Sequence, residues 1–240
     1  MSHIQYDHRQ IYGFHCGRMI DIVALQKVRE QVAMTGREIL LVGATKTQSK
    51  AVIDEFVALA PDFVLGENRV QELIDKYDPA YKWHLIGRLQ RNKVKYIIDK
   101  VDLIHSLDRI ELADEIERQA TKHNKVQGCL VEINIGDEPG KGGIRPEDVE
   151  DFIRALKNHT HIKIEGIMSV LPNVDTAELE TLYEKLDDIF DKVKNIQQSN
   201  VEIKYYSAGM SGDYEIAIQN GSNMIRLGRT IFGERNYGDK

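Results

Sequence analysis

Short β-branched apolar runs, each closing on glycine or a polar residue, alternate along this chain with longer segments of helical spacing. The runs are Ile39–Ala44, Phe63–Gly66, Trp83–Gly87, Leu103–Ser106, Cys129–Ile135, Ile162–Val170, Val201–Ser207 and Asn223–Gly228. Between them, Val52, Phe56 and Leu59 share one helical face, and Val94, Ile97 and Ile98 another. Ile110, Ala113, Ile116 and Ala120 trace a half-buried helix, and Leu179, Leu182, Leu186, Ile189 and Val193 a longer one. Pro146-Glu147-Asp148 and Asp175-Thr176 are helix-start signals. About eight strands alternating with helices predict an α/β fold, a single (β/α)8 TIM barrel. The rival, an open doubly wound sheet, would carry Gly-x-Gly-x-x-Gly after its first strand, and none follows here. An extra N-terminal helix, roughly Met19 to Met34, precedes the first strand, and residues 1–240 are read as one domain.

Composition narrows the function classes. Lys plus Arg total 32 against 38 Asp plus Glu, a net charge of −6. An acidic balance disfavours affinity built on nucleic-acid phosphates, which needs a basic surface. Arg88, Arg91, Lys93 and Lys95 form a local basic cluster that reads as a solvated helix face before it reads as an RNA site. Cys16 and Cys129 are too few for a disulfide framework and lack metal-ligand spacing, which suits two unpaired thiols in a reducing compartment. No apolar run approaches the roughly 20 residues of a membrane helix. Met1 to Gly17 lacks the apolar stretch of a secretory signal, so the expected location is the cytoplasm.

In such a barrel, reactive groups stand at the carboxyl ends of the strands, and the loops after strands 7 and 8 commonly hold phosphate. The seventh run ends in Ser207-Ala208-Gly209-Met210-Ser211-Gly212-Asp213, the eighth in Arg226-Leu227-Gly228-Arg229-Thr230. Glycines let backbone N–H groups approach an anion. Taken singly, Ser211 or Gly212 caps a helix and Gly228 closes a turn; taken together, the two loops predict an anion site. Lys46, just past the first strand, is either a solvated loop charge or an amine that condenses with a carbonyl. Desolvation and a nearby cation would lower its pKa, and Arg226 on the adjacent eighth strand is a candidate for that cation. Arg226 reads equally as the partner of a buried carboxylate. His84 is a core histidine or a pocket one, and Asn68 a helix cap or a ligand contact. Met168-Ser169 lines a ligand or packs the barrel top. No metal ligand and no catalytic residue is assigned.

In order from about Ile39 to Tyr237, several stretches resemble the motifs of the pyridoxal phosphate (PLP) homeostasis protein family. They are Leu40-Leu41-Val42-Gly43-Ala44-Thr45-Lys46, Gly66-Glu67-Asn68-Arg69-Val70-Gln71-Glu72 and Trp83-His84-Leu85-Ile86-Gly87-Arg88-Leu89-Gln90-Arg91-Asn92-Lys93. Ser207 to Asp213, Gly221-Ser222, Arg226-Leu227-Gly228 and Ile231-Phe232-Gly233-Glu234-Arg235 complete the series. The family is similar in fold to the N-terminal barrel of alanine racemase. The resemblance implies that Lys46 holds PLP as a Schiff base and that Arg226 faces the pyridine nitrogen. It also implies that Met210, Ser211, Gly228 and Arg229 surround the phosphate, with Asn68, His84, Met168 and Ser169 as further pocket positions. The chain departs from the family pattern at Thr45 (often Ser), Arg69 (Tyr), Arg88 (often His) and Arg229 (commonly Thr or Ser). If a hydroxyl binds the phosphate, Thr230 is the substitute and the assignment of Arg229 weakens.

An arginine opposite the ring nitrogen disfavours its protonation, which leaves a poorer electron sink. Barrel racemases compensate with a second base delivered by the partner of a two-domain subunit. About a dozen residues follow the last strand here, so no second domain is expected to supply it. The resemblance therefore implies a protein that holds PLP reversibly, limits the free aldehyde and passes it to apo PLP-dependent enzymes, without robust turnover. A monomer or weak dimer, with neither nucleic acid nor membrane as partner, fits that role. The alternatives are a PLP-dependent amino-acid racemase of weak or narrow activity, and a PLP-free Schiff-base aldolase acting on a sugar phosphate.

Overall fold

The computed structural model describes residues 20–233. Its strands are β1 (Leu40–Ala44), β2 (Phe63–Glu67), β3 (Trp83–Leu85), β4 (Leu103–Leu107), β5 (Gln127–Ile133), β6 (Ile162–Ser169), β7 (Val201–Ser207) and β8 (Met224–Leu227). They pair in chain order, all parallel, and β8 closes on β1 with Val42 opposite Arg226. The helices are α1 (Ile22–Met34), α2 (Lys50–Leu59), α3 (Val70–Lys76), α4 (Ile110–Lys122), α5 (Val149–Ala155), α6 (Thr176–Lys194), α7 (Tyr214–Gln219) and α8 (Arg229–Phe232). Each of the eight apolar runs contributes a strand, and the fold is the expected (β/α)8 barrel. Cys16, Met19, Glu234, Arg235 and Tyr237 lie outside the described residues.

Local chemistry explains the helix starts. Asp21 Oδ1 accepts from Ala24 N at 2.9 Å, Ser49 Oγ from Val52 N at 3.4 Å, and Asp175 Oδ1 from Glu178 N at 3.0 Å, each relieving an amide left over at a first turn. Pro146–Asp148 form a 3-10 turn that leads into α5, where the missing proline N–H costs nothing. One element differs from expectation. Val94 lies in a 3-10 helix, Arg91–Tyr96, rather than an α-helix, and Ile97 and Ile98 follow in the turn that ends it. Over so short a stretch, i, i+3 spacing is served equally by three residues per turn, and all three side chains are buried.

Two apolar layers hold the barrel. Val42, Ala44, Ile86, Leu103, Leu130, Met168 and Met224 pack in a cluster of their own, while a larger cluster joins the other strand face to the helices. The strand period of two sets the faces. Val42 and Ala44 belong to the small interior cluster, Thr45 turns its hydroxyl to Glu67, and the half-buried Lys46 follows in the turn just past the end of β1. Gly166 has φ +155°, and a Cβ there would lie 1.8 Å from Tyr205 O, so β6 and β7 approach as only glycine permits. Cys129 is buried and free, its thiol pushed up by that burial. Among the described residues no helix is long and apolar enough to cross a membrane, and no group of three or more potential metal ligands forms.

Candidate functional site

A polar chain crosses the barrel interior. Arg226, 4% exposed, donates through Nη1 to Ser207 O (2.9 Å) and Ser207 Oγ (2.6 Å), and through Nη2 to Ser169 O (2.8 Å). A buried cation needs such acceptors, and here the ends of β6 and β7 supply them. Burial pulls the guanidinium down from its ordinary value while Tyr183, Asp213 and Glu132 pull the other way; it remains charged. Ser207 Oγ lies 3.4 Å from His105 Nδ1, and His105 Nε2 lies 3.0 Å from His84 Nδ1. Since Ser207 Oγ accepts from Arg226, its own proton turns toward His105 Nδ1. That assigns the His105 proton to Nε2, which donates to His84. Burial lowers His84 to about 3 and His105 well below its ordinary value, so both rings are neutral.

A second network lies behind the wall, under Lys46. Thr45 Oγ1 donates to Gly66 O (3.2 Å) and Glu67 Oε2 (3.0 Å). Lys76 Nζ, arriving from α3, donates to Thr45 O (3.1 Å), Glu67 Oε2 (2.9 Å) and Glu72 Oε2 (3.0 Å). Glu72 Oε2 also accepts from Thr47 N at 2.8 Å, and Glu67 Oε1 from Asn68 N at 2.8 Å. Both neighbours of the partly buried Lys46 are thus fixed. Asn68 does not cap α3, whose cap position is Arg69; its Oδ1 is buried without a hydrogen-bond partner.

The loops after β7 and β8 meet through one oxygen. Ser211 Oγ accepts from Gly228 N (3.3 Å) and Thr230 N (3.1 Å), so it bridges loops rather than capping α7. Asp213 stands at that cap position, accepts from Met210 N at 2.7 Å and from Tyr183 Oη at 2.6 Å. Arg229 is exposed, with Nη2 3.9 Å from where a Gly212 Cβ would stand.

The remaining corner is charged. Glu132, on β5, has its carboxyl raised to about 7, mainly by burial and then by Asp108; Arg226, Arg88 and Arg109 oppose the shift. Its Oε2 has no hydrogen-bond partner. Beyond it, Arg69, Arg88, Arg91, Lys93 and Arg109 border an open cleft of about 840 Å³ that also touches Asn68.

Of the expected residues, Ser169 and Arg226 meet directly, His84 joins them through His105 and Ser207, and Ser211 meets Gly228. Met168, 1% exposed, packs in the barrel interior. Ser169 turns its hydroxyl to Ile133 O (2.7 Å) and offers Arg226 only its carbonyl. Sequence reasoning missed His105, Glu132, Glu72 and Lys76. The signal for two of them was present: His105 and Glu132 alternate with apolar residues along strands, which puts polar groups on the inner face.

Residues 26–236 match the alanine racemase N-terminal domain model. The chain is 40% identical over 228 residues to the pyridoxal phosphate homeostasis protein of Aquifex aeolicus, covering 92% of this chain and 99% of that one. It is 33% identical over 221 residues to the protein of that name from Pasteurella multocida, covering 89% and 94%. Among solved structures, PipY of Synechococcus elongatus without PLP superposes at a TM-score of 0.80 with 29% identity, covering 88% of this chain and 99% of that one. The same protein with PLP bound gives 0.77 at 28% identity over the same shares. An alanine racemase of Clostridium difficile shares the fold at a TM-score of 0.68 and 17% identity, over 90% of this chain and 60% of that one.

Proposed function

Since the chain belongs to the alanine racemase N-terminal domain family, and within it to the pyridoxal phosphate homeostasis proteins, we propose that it binds PLP in a single barrel domain, holding it as a Schiff base on Lys46 without robust turnover. The observation that carries this reading is that Lys46 follows directly on β1, the strand whose Val42 stands opposite the buried Arg226 of β8.

The donor set fits the group. Support comes from the Gly228 and Thr230 amides, which converge on one oxygen, Ser211 Oγ, a pairing of backbone donors of the kind that suits an anion. Buried Asn68 Oδ1 is an acceptor awaiting a donor. When bound, PLP supplies an aldehyde that condenses reversibly with a primary amine. Lys46 Nζ is the amine in this proposal, and the Ser211, Gly228 and Thr230 group holds the phosphate, with Met210 and Arg229 beside it. Arg226 has no acceptor atom, so toward a ring nitrogen it can only donate, which favours the unprotonated ring. His84, already accepting from His105, would border the ring through its other nitrogen.

Such a protein would limit free aldehyde and hand PLP to apo-enzymes in the cytoplasm, acting as a monomer or weak dimer. One observation favours the second reading, a racemase of weak or narrow activity: Glu132, whose Oε2 has no hydrogen-bond partner, has its carboxyl raised into the range of proton exchange near neutrality.

The test is a visible absorption scan with added PLP, borohydride trapping and peptide mass analysis. Trapped PLP on Lys46, lost in Lys46→Ala, is expected. Trapping elsewhere overturns the assignment. Exchange of amino-acid α-protons in deuterated water faster than free PLP alone would replace the carrier with the racemase.

A further inference from the structure

We propose that Glu72, with Lys76 and Glu67 behind it, is a positioning residue for Lys46: the three charges form a brace outside the barrel wall that holds the lysine backbone ready to meet an aldehyde. The inference rests on Lys46 being the amine that takes PLP.

Thr47, the residue after Lys46, has φ +67°. That region is costly for a β-branched side chain and persists only where the surroundings over-determine it. Here the surroundings are a carboxylate: Glu72 Oε2 accepts the Thr47 amide at 2.8 Å. Glu72 is fixed in turn by Lys76 Nζ at 3.0 Å, and Lys76 is fixed by Glu67 at 2.9 Å. The third Lys76 proton goes to Thr45 O at 3.1 Å, the carbonyl just before Lys46. All three donors of the ammonium are therefore committed, and two of its partners grip the chain on either side of Lys46. The Glu67 side chain is fully buried and that of Lys76 is 10% exposed, so solvent competes little for these bonds. Glu67 also takes the amide of Asn68, which ties the second rim position to the same brace. The network thus ends on both chain neighbours of Lys46, Thr45 and Thr47.

Glu72 is the residue to change, because its side chain is 23% exposed and Lys76 keeps Glu67 and Thr45 without it. Glu72→Ala frees the Thr47 amide. Loss of a charge-assisted bond predicts a PLP dissociation constant raised roughly tenfold, and borohydride trapping on Lys46 slowed by a similar factor. Glu72→Gln keeps an acceptor for Thr47 and should return both within about threefold of the parent. In the apo-protein, reductive 13C-methylation should give one sharp Lys46 resonance for the parent, assigned through Lys46→Arg, and a broadened or multiple one for Glu72→Ala. Lys76→Met gives the second variant, with the same direction of effect in trapping normalised to folded protein. Parent-like affinity and trapping in Glu72→Ala overturn the brace and leave the Lys46 reading standing. Melting losses with normalised trapping unchanged assign the network to stability alone and overturn it too. Unchanged PLP binding in Lys46→Ala removes the Lys46 reading itself.

Discussion

Arg226 Nη1 lies 2.6 Å from Ser207 Oγ, at the head of the polar chain that crosses the barrel beside its small apolar cluster. The serine oxygen accepts from the guanidinium and its hydroxyl donates toward His105, so one guanidinium orders a hydroxyl and two imidazoles.

Arg226→Ala strands the carbonyls of Ser169 and Ser207 in the interior. Removing a buried, hydrogen-bonded cation should cost about 3 kcal/mol in denaturant unfolding. The same variant should loosen PLP and shift its absorption band. A parent-like spectrum and affinity would remove Arg226 from the pocket.

The histidine pair should stay neutral in mild acid. His84 is lowered to about 3 and His105 well below 6.5, so two imidazoles should show no titration by 15N NMR between pH 8 and 5. The folded values lie below the unfolded ones, so the unfolded chain takes up these protons first. Stability from the pair is full above about pH 6.5 and declines as pH falls toward 3. An imidazolium signal from either ring at pH 6 would contradict the burial argument.

Glu132 behaves in the opposite sense. Its folded value of about 7 stands above the 4.5 of a free carboxyl, so the protonated form favours the fold. That contribution is full below about 4.5, shrinks as pH rises, and is gone above about 7. Glu132→Gln should therefore stabilise the apo-protein by something on the order of 2 kcal/mol at pH 8 and by little at pH 4. Equal effects at both pH values in urea melts would show the carboxyl to be unperturbed.

Gly209→Ala should disturb the joined loops. The site has φ +96°, and a Cβ would come within 2.6 Å of Ala217 Cβ on α7. Strain and overpacking together predict a loss of about 2–4 kcal/mol and weaker PLP binding. A thermal melt matching the parent would mean the loop absorbs the methyl.

The barrel was legible because each strand is a compact apolar run, with inward positions such as Val42 and Ala44 of β1 spaced by two. Lys46 and Arg226 were legible as strand-end and strand residues of neighbouring elements. What the sequence concealed depends on through-space partners. Lys76 reads as a basic residue in the last turn of a short helix, yet it folds back onto Thr45, thirty-one positions earlier. Ser211 reads as a helix cap, yet it bonds to amides seventeen and nineteen residues on. The Val94, Ile97, Ile98 spacing reads as helical because it does not separate a 3-10 helix such as Arg91–Tyr96 from an α-helix over so short a stretch.

The cleft edged by Arg69, Arg88, Arg91, Lys93 and Arg109 puts a positive lobe beside the rim of a molecule whose net charge is −6. A phosphate ester diffusing in would be repelled by most of the surface and drawn toward that lobe. The encounter rate, rather than the depth of the final well, is what such a field governs, and its reach shrinks to about 8 Å in physiological salt. Capture would then slow as ionic strength rises while release stays nearly constant.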